Sequence, residues 1–151
     1  MHKHLESALE LASNNCYDAH VDYHLSAIIV SGGSIISCGF NKGATNSFVE
    51  HYADRVRGKR NFCLSTHAEM DAVLKVRSKT DLTGCKIFVA RKRKDTGLPG
   101  MAKPCPICEE VLLSYGIKRA YYTIDENNYG IMKISKAKGK FKDRIVPFSE
   151  V

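Results

Sequence analysis

Apolar residues near the N-terminus recur with the spacing of a helix. They share one face of a 3.6-residue period: Leu5, Ala8, Leu9 and Ala12. The turn-forming pair Asn14-Asn15 ends the pattern. The sequence therefore predicts an amphipathic helix over residues 2–14 that covers one face of a sheet.

Short apolar runs rich in β-branched residues follow, and they predict strands. Residues 25–30 and 35–38 are two such runs. The four residues between them, Ser31-Gly32-Gly33-Ser34, contain glycines that permit positive φ in a tight turn. These runs predict the clearest hairpin of the chain, and the polar stretch 41–61 after them has no periodicity that identifies an element.

The second half of the chain alternates predicted strands and helices. Strands are predicted over residues 86–90 and 120–124, and helices over residues 67–78 and 106–115. Residues 125–130 have the composition of a turn. The apolar residues that follow, 131–134, therefore predict a last strand that folds straight back, antiparallel to the strand before it.

Length and cysteine usage bound the class of protein. A chain of 151 residues with 44% hydrophobic side chains is the size of one domain, and we expect residues 1–151 to form a single domain with one core. No apolar run approaches the roughly 18 residues of a membrane span, and we expect a cytoplasmic or nuclear protein that is neither secreted nor in the membrane. Of six cysteines only Cys105 and Cys108 are close together, which favours paired metal ligands plus free thiols over disulfides.

Much of the excess behind the formal net charge of +7 lies in Arg91 to Lys94 and in the run from Lys133 to Lys142. The first belongs to the basic segment Arg91 to Lys103, predicted to be a loop, and the second overlaps the lysine-rich tail, residues 135–151, with a short strand or packed end at 145–148. Such charge suits a phosphate-bearing partner, including nucleic acid, but it is also typical of a solvated surface. A nucleic-acid partner and a homo-oligomer both stay open.

Two short segments carry the candidate chemistry: Thr66-His67-Ala68-Glu69 and Pro104-Cys105-Pro106-Ile107-Cys108. Each lies where a helix is predicted to begin. Cys105 and Cys108 are three residues apart, so in a first helical turn both sulfurs face the same side, and Pro106 suits the first helical position. His67 and Glu69 face one site only if that site lies beyond the helix end.

One histidine and two thiolates form a recognised zinc-binding set, and three protein ligands leave the fourth tetrahedral position open to water. Bound zinc lowers the pKa of that water toward about 7, while Glu69, which the metal does not need, is free to move protons. The sequence thus predicts one zinc ion per chain and a hydrolytic reaction. Taken separately, each motif has a plainer explanation: Thr66 and Glu69 fit a capping box, and Cys-x-x-Cys fits a redox pair or half of a structural zinc site.

The joint pattern, His-x-Glu followed by Pro-Cys-x-x-Cys, is the signature of zinc deaminases. His67-Ala68-Glu69-Met70 and Pro104-Cys105-Pro106-Ile107-Cys108 resemble the cytidine and deoxycytidylate deaminase superfamily over about residues 20–125. The resemblance implies a three-layer α/β/α fold with a five-stranded mixed sheet and zinc between two helix starts. It also implies that Asn41 contacts the substrate, unless Asn41 only forms a turn with Lys42 and Gly43.

The resemblance does not fix the branch of the superfamily. His67 resembles the nucleotide, nucleobase and polynucleotide branches, whereas the antiparallel last strand departs from the deoxycytidylate pattern. The leading hypothesis is deamination of a cytosine-type base in a nucleotide, nucleoside or free base. Backbone N–H groups near Ala68 and Cys105 would then support the substrate. The alternatives are a deaminase acting on single-stranded DNA or RNA, and a non-catalytic zinc-binding partner subunit.

Overall fold

Helices lie on both faces of a mixed β-sheet in the computed structural model, which describes residues 2–14, 24–42, 67–76, 81–136 and 141–149. The helices are α1 (Lys3–Ser13), α2 (Ala68–Leu74) and α3 (Pro106–Ser114). The strands are β1 (His24–Ser31), β2 (Ser34–Phe40), β3 (Lys86–Lys92), β4 (Pro99–Gly100), β5 (Arg119–Thr123), β6 (Asn128–Lys133) and β7 (Arg144–Pro147). Within these ranges no helix is long and apolar enough to cross a bilayer.

The sheet has the strand order β2-β1-β3-β5-β6-β7, and β4 pairs with β3. Only β3 and β5 run parallel among the described strand pairs, because the chain returns between them through α3. The predicted hairpin is confirmed as β1 and β2, with both turn glycines, Gly32 and Gly33, at positive φ. The predicted reversal of the last strand is also confirmed, since β6 is antiparallel to β5.

The strand count differs from the prediction of five, because seven strands occur in the described residues. One addition lies in a segment that we predicted as a loop, because Arg91 and Lys92 extend β3 and pair with β4. The other, β7, confirms the short strand predicted at 145–148 and pairs with β6. β6 also begins earlier than predicted. The carboxylate of Asp125 accepts the N–H groups of Asn127 and Asn128, both at 2.8 Å, which confines the turn and lets the ladder start at Asn128.

Alternating side chains of the strands form two cores, one on each face of the sheet. The core under α1 contains the large side chains of Ile28, Phe88 and Tyr121. The core under α2 and α3 contains their neighbours in the strands, among them Ile29, Ile87 and Tyr122. The three-layer α/β/α class predicted from the sequence is therefore confirmed, and α2 and α3 share one face with the candidate chemistry.

Candidate active site

The start of α2 is held tightly against β2. Gly39 lies so close to the helix that an added Cβ would be 2.3 Å from the carbonyl oxygen of Ala68. The Ser37 hydroxyl donates to the Ala72 carbonyl at 2.7 Å, one turn further along the helix. Only a glycine permits such an approach of strand backbone to helix backbone. The position of His67, the residue before α2, is thereby fixed relative to the sheet.

Asp71 makes a second link between α2 and the end of β2. Its carboxylate accepts the N–H of Phe40 at 2.9 Å and forms ion pairs of 2.9 Å with Lys42 and with Lys75. Burial by itself raises the pKa of Asp71, but the hydrogen bonds from Lys42, Phe40 and Lys75 outweigh it and hold the pKa below its ordinary value. The carboxylate therefore stays charged and ties residues 40–42 to the helix.

The second helix start carries the two cysteines as the spacing predicts. Cys105 is the N-cap of α3 and Pro106 is its first residue, while Cys108 lies one turn inside. The N–H of Glu109 donates to the Cys105 carbonyl at 2.9 Å, which confirms that the helix begins here. Both sulfurs consequently point to the side on which His67 lies.

His67, Cys105 and Cys108 come together in one cluster, with all three ligand atoms within 4.8 Å of one another. The His67 Nδ1 is 3.3 Å from the Cys108 sulfur and 3.4 Å from the Cys105 sulfur, and the two sulfurs are 3.6 Å apart. Tetrahedral zinc with bonds of about 2.3 Å to sulfur and about 2.0 Å to nitrogen requires ligand atoms about 3.5–3.8 Å apart. The donor set and its spacing therefore fit one zinc ion.

The protonation of the two thiols supports the same conclusion. The hydrogen bond from Cys108, followed by that from His67, lowers the pKa of Cys105 to about 4 even though burial opposes the shift. The hydrogen bond to Cys105 and then burial raise the pKa of Cys108 above its ordinary value. The charge of one thiolate opposes ionisation of the sulfur beside it. A divalent metal supplies the charge that allows both to be thiolates.

Glu69 lies beside this cluster, with only 4% of its surface exposed. Burial raises the pKa of Glu69, the charge of His67 lowers it, and that of Cys105 raises it, with the net shift upward. The carboxyl also shares a hydrogen bond with Cys108. The capping-box alternative is wrong, because the N-cap of α2 is His67, with φ −74° and ψ 156° and no side-chain cap, which puts Glu69 one position too early. Thr66 itself lies outside the described residues.

The two predicted substrate contacts lie at different places in the fold. Ala68 is the buried first residue of α2, directly between His67 and Glu69. Asn41 is buried just beyond β2, where its side-chain oxygen accepts the N–H of Leu25 at 2.9 Å and so holds the ends of β1 and β2 together. A structural hydrogen bond thus occupies one side of this amide. The substrate-binding roles of Asn41 and Ala68 stay predictions.

Sequence reasoning missed two groups that shape the site, Gly39 and Asp71. Asp71 and Lys75 are four residues apart on a predicted helix, a spacing typical of an ion pair, so this half of the network was visible in the sequence. The other partners of Asp71, Phe40 and Lys42, were not visible, because they lie about 30 residues earlier in the chain. The sheet, two helix layers and a His-Cys-Cys cluster beside a buried glutamate define a zinc-dependent deaminase domain.

Comparisons with known proteins agree with that class. A family model described as the cytidine and deoxycytidylate deaminase zinc-binding region matches residues 1–124, so the chain belongs to this family of hydrolytic, zinc-binding deaminases. The dCMP deaminase from cyanophage S-TIM5, solved in complex with dCMP and dUMP, is 24% identical, with a TM-score of 0.50, over 80% of this chain and 77% of its own. The cytidine deaminase from Burkholderia pseudomallei is 16% identical, with a TM-score of 0.54, over 97% of this chain and 92% of its own. These likenesses show the shared fold, and no curated protein sequence matches the chain significantly.

Proposed function

We propose that this protein deaminates a cytosine-type base in a small molecule, namely a nucleotide, a nucleoside or a free base. The observation that carries the proposal is the placement of a buried carboxyl, Glu69, beside the three ligand atoms of His67, Cys105 and Cys108. A purely structural zinc site has no need of that carboxyl. A metal site that has only three protein ligands leaves a position for water.

His67, Cys105 and Cys108 would hold zinc, which supplies a Lewis acid and lowers the pKa of water toward about 7. The imidazole would bind through Nδ1, the nitrogen that faces both sulfurs. The two cysteines would bind as thiolates, and their placement at the start of α3 favours the charged form because the N-terminus of a helix carries partial positive charge. These residues fix where the reaction takes place.

Glu69 moves the protons. In hydrolytic deamination, water adds to the carbon that bears the exocyclic amine, the carbon–nitrogen bond breaks and ammonia leaves. Glu69 accepts a proton from the attacking water, passes it to the ring nitrogen of the base, and assists the transfer of a second proton to the departing amine. Burial raises the pKa of Glu69, which makes the carboxylate a stronger proton acceptor for the attacking water.

The test is ammonia release by the zinc-loaded protein across a panel of free bases, nucleosides, nucleotides and single-stranded oligonucleotides. Glu69→Gln keeps the size of the side chain but removes the titrating group, and we expect it to lower kcat at least about 100-fold. Glu126→Gln, in the exposed turn before β6, is the matched control and should react like the parent. Zinc content is measured for all three.

Two results would sink this proposal. One is zinc-loaded parent protein that releases no ammonia from any compound, as expected of a non-catalytic zinc subunit. The other is a Glu69→Gln variant that keeps both its zinc and the parent's rate. Activity on oligonucleotides alone would move the substrate to polynucleotides, in which the base must first leave its stack.

A further inference from the structure

The segment from Gly100 to Lys103 leads directly into Cys105, yet beyond Gly100 it belongs to no helix or strand. Its position decides where the first cysteine of α3 lies. Cys105 is the third residue after Ala102, so the two are at most about 11 Å apart along an extended chain. The ring of the intervening Pro104 also fixes its φ. A shift of Gly100 or Ala102 is therefore passed on to the Cys105 sulfur.

Thr123, the last residue of β5, holds this segment through its side chain and its backbone. Its hydroxyl donates to the Gly100 carbonyl at 2.7 Å and accepts the N–H of Arg91 at 3.1 Å. Its own carbonyl accepts the N–H of Ala102 at 2.9 Å. Thr123 is fully buried, with 0% of its surface exposed, so no solvent competes for these bonds.

The hydroxyl takes the place of a regular ladder bond. Arg91 and Gly100 are opposite each other in the β3–β4 pair, and β5 runs parallel to β3 with its last regular partner at Tyr122. Beyond Tyr122 the hydroxyl of Thr123 joins both strands of the β3–β4 pair at once. A valine in its place would remove the acceptor that the hydroxyl offers to the N–H of Arg91 and the donor that it offers to the buried carbonyl of Gly100.

We propose that Thr123 is a positioning residue for the metal site, which sets the affinity for zinc by fixing the approach to Cys105. The inference rests on the proposed function only in taking His67, Cys105 and Cys108 as the zinc ligands. A second, weaker anchor acts on the same segment: Lys103 forms an ion pair of 2.9 Å with Asp143, which also accepts the hydroxyl of Tyr122. Loss of Thr123 should therefore weaken the site without abolishing it.

The test compares Thr123→Val, which keeps the shape and removes the hydroxyl, with Thr123→Ser, which keeps the hydroxyl. Ser26→Ala is the matched control, because the Ser26 hydroxyl is also fully buried but donates to the Ala8 carbonyl of α1, on the other face of the sheet. Zinc affinity is measured by competition with a chelator. The absorption spectrum of the Co²⁺-substituted protein reports the geometry of the ligands, and thermal unfolding reports stability.

We expect Thr123→Val to weaken zinc affinity about 10- to 100-fold, the range for groups that orient metal ligands, and to change the Co²⁺ spectrum. Thr123→Ser should restore both. Ser26→Ala should unfold at a lower temperature yet bind zinc like the parent. If Thr123→Val does not fold, Thr123→Ala takes its place, since the room it leaves admits a water to the stranded polar groups.

Parent-like zinc affinity and Co²⁺ spectrum in the hydroxyl-free variant would overturn the proposal. So would an equal loss of affinity in Ser26→Ala, because stability alone would then explain the effect. None of these measurements uses a substrate. A parent that binds zinc but releases no ammonia therefore contradicts the proposed function and leaves this inference standing.

Discussion

Replacing Gly39 by alanine should displace α2 from β2 and disable the metal site. A Cβ at this position would lie 2.3 Å from the Ala68 carbonyl oxygen, 2.3 Å from the Ala72 amide nitrogen and 2.8 Å from the Ala72 Cα. Real Cβ atoms essentially never approach other heavy atoms closer than 3.0 Å. All three atoms belong to the helix backbone, so no side-chain rotation relieves the clash.

The magnitude follows from the same distances. Widening the two shortest contacts from 2.3 to 3.0 Å moves helix and strand apart by about 0.7 Å. Overpacking of this kind costs about 1–3 kcal/mol of stability. Because His67 directly precedes α2, the shift also moves its imidazole relative to the two sulfurs. A misplacement of about 1 Å in a catalytic group lowers the rate about 100-fold, so we expect kcat to fall about 10- to 100-fold.

The assay combines zinc affinity by chelator competition, ammonia release with the best substrate of the panel, and thermal unfolding. Gly84→Ala is the matched control. Gly84 has φ +83° with nothing within 4 Å of an added Cβ, and it precedes β3 at the end of the sheet away from the metal ligands. Alanine in that left-handed conformation costs about 1–2 kcal/mol. It should leave zinc affinity and kcat unchanged.

A Gly39→Ala protein that binds zinc and deaminates like the parent would refute the close approach of strand and helix. Equal losses of zinc affinity in Gly39→Ala and Gly84→Ala would show that the metal site responds to stability alone. We expect Gly39→Ala and Gly84→Ala to unfold at similar temperatures, whereas only Gly39→Ala loses zinc affinity and activity.

Two further predictions concern the buried carboxylate network and the metal. Because the pKa of Asp71 is held below its ordinary value, the stability it contributes is present above the unfolded pKa and is lost as pH falls through the folded pKa. Asp71→Asn should therefore lower the free energy of unfolding by about 1–3 kcal/mol at pH 7. It should also make that free energy decrease less steeply as the pH falls below about 4. Urea unfolding at a series of pH values measures both, and a pH dependence identical to that of the parent would contradict the prediction. When the free zinc concentration is about 100 times Kd, bound zinc raises the free energy of unfolding by about 2.7 kcal/mol. Removing zinc with a chelator should abolish this gain, and identical melting curves with and without zinc would contradict the prediction.

Local patterns predicted the elements that depend on local physics. The β1–β2 hairpin follows from Gly32 and Gly33. The orientation of Cys105 and Cys108 toward one side follows from the placement of Pro106 at a helix start. The antiparallel direction of β6 follows from the shortness of the turn before it. In each case the decisive residues are neighbours in the chain, so their spacing alone fixes the geometry.

The features that were missed depend on contacts between distant segments. β4 consists of Pro99 and Gly100 only, and it is a strand because β3 extends past Ala90 to meet it. The function of Gly39 becomes visible only when α2 lies across β2, and that of Thr123 only when residues 91 and 100 lie side by side. Sequence periodicity contains no information on such pairings.

The sheet, more than the metal, sets the distances between the ligands. The contacts of α2 with β2 fix His67. The segment before Cys105 is hydrogen-bonded to Thr123 at the end of β5. Strands β1 and β3 lie between β2 and β5 in the sheet. Large buried side chains on both faces, such as Ile29 and Phe88, stabilise this frame by apolar burial. Small zinc modules whose ligands lack such a frame unfold when the metal is removed. Here the frame pre-orders the ligands, which lowers the entropic cost of binding zinc. Metal removal should therefore lower the free energy of unfolding while the sheet stays folded.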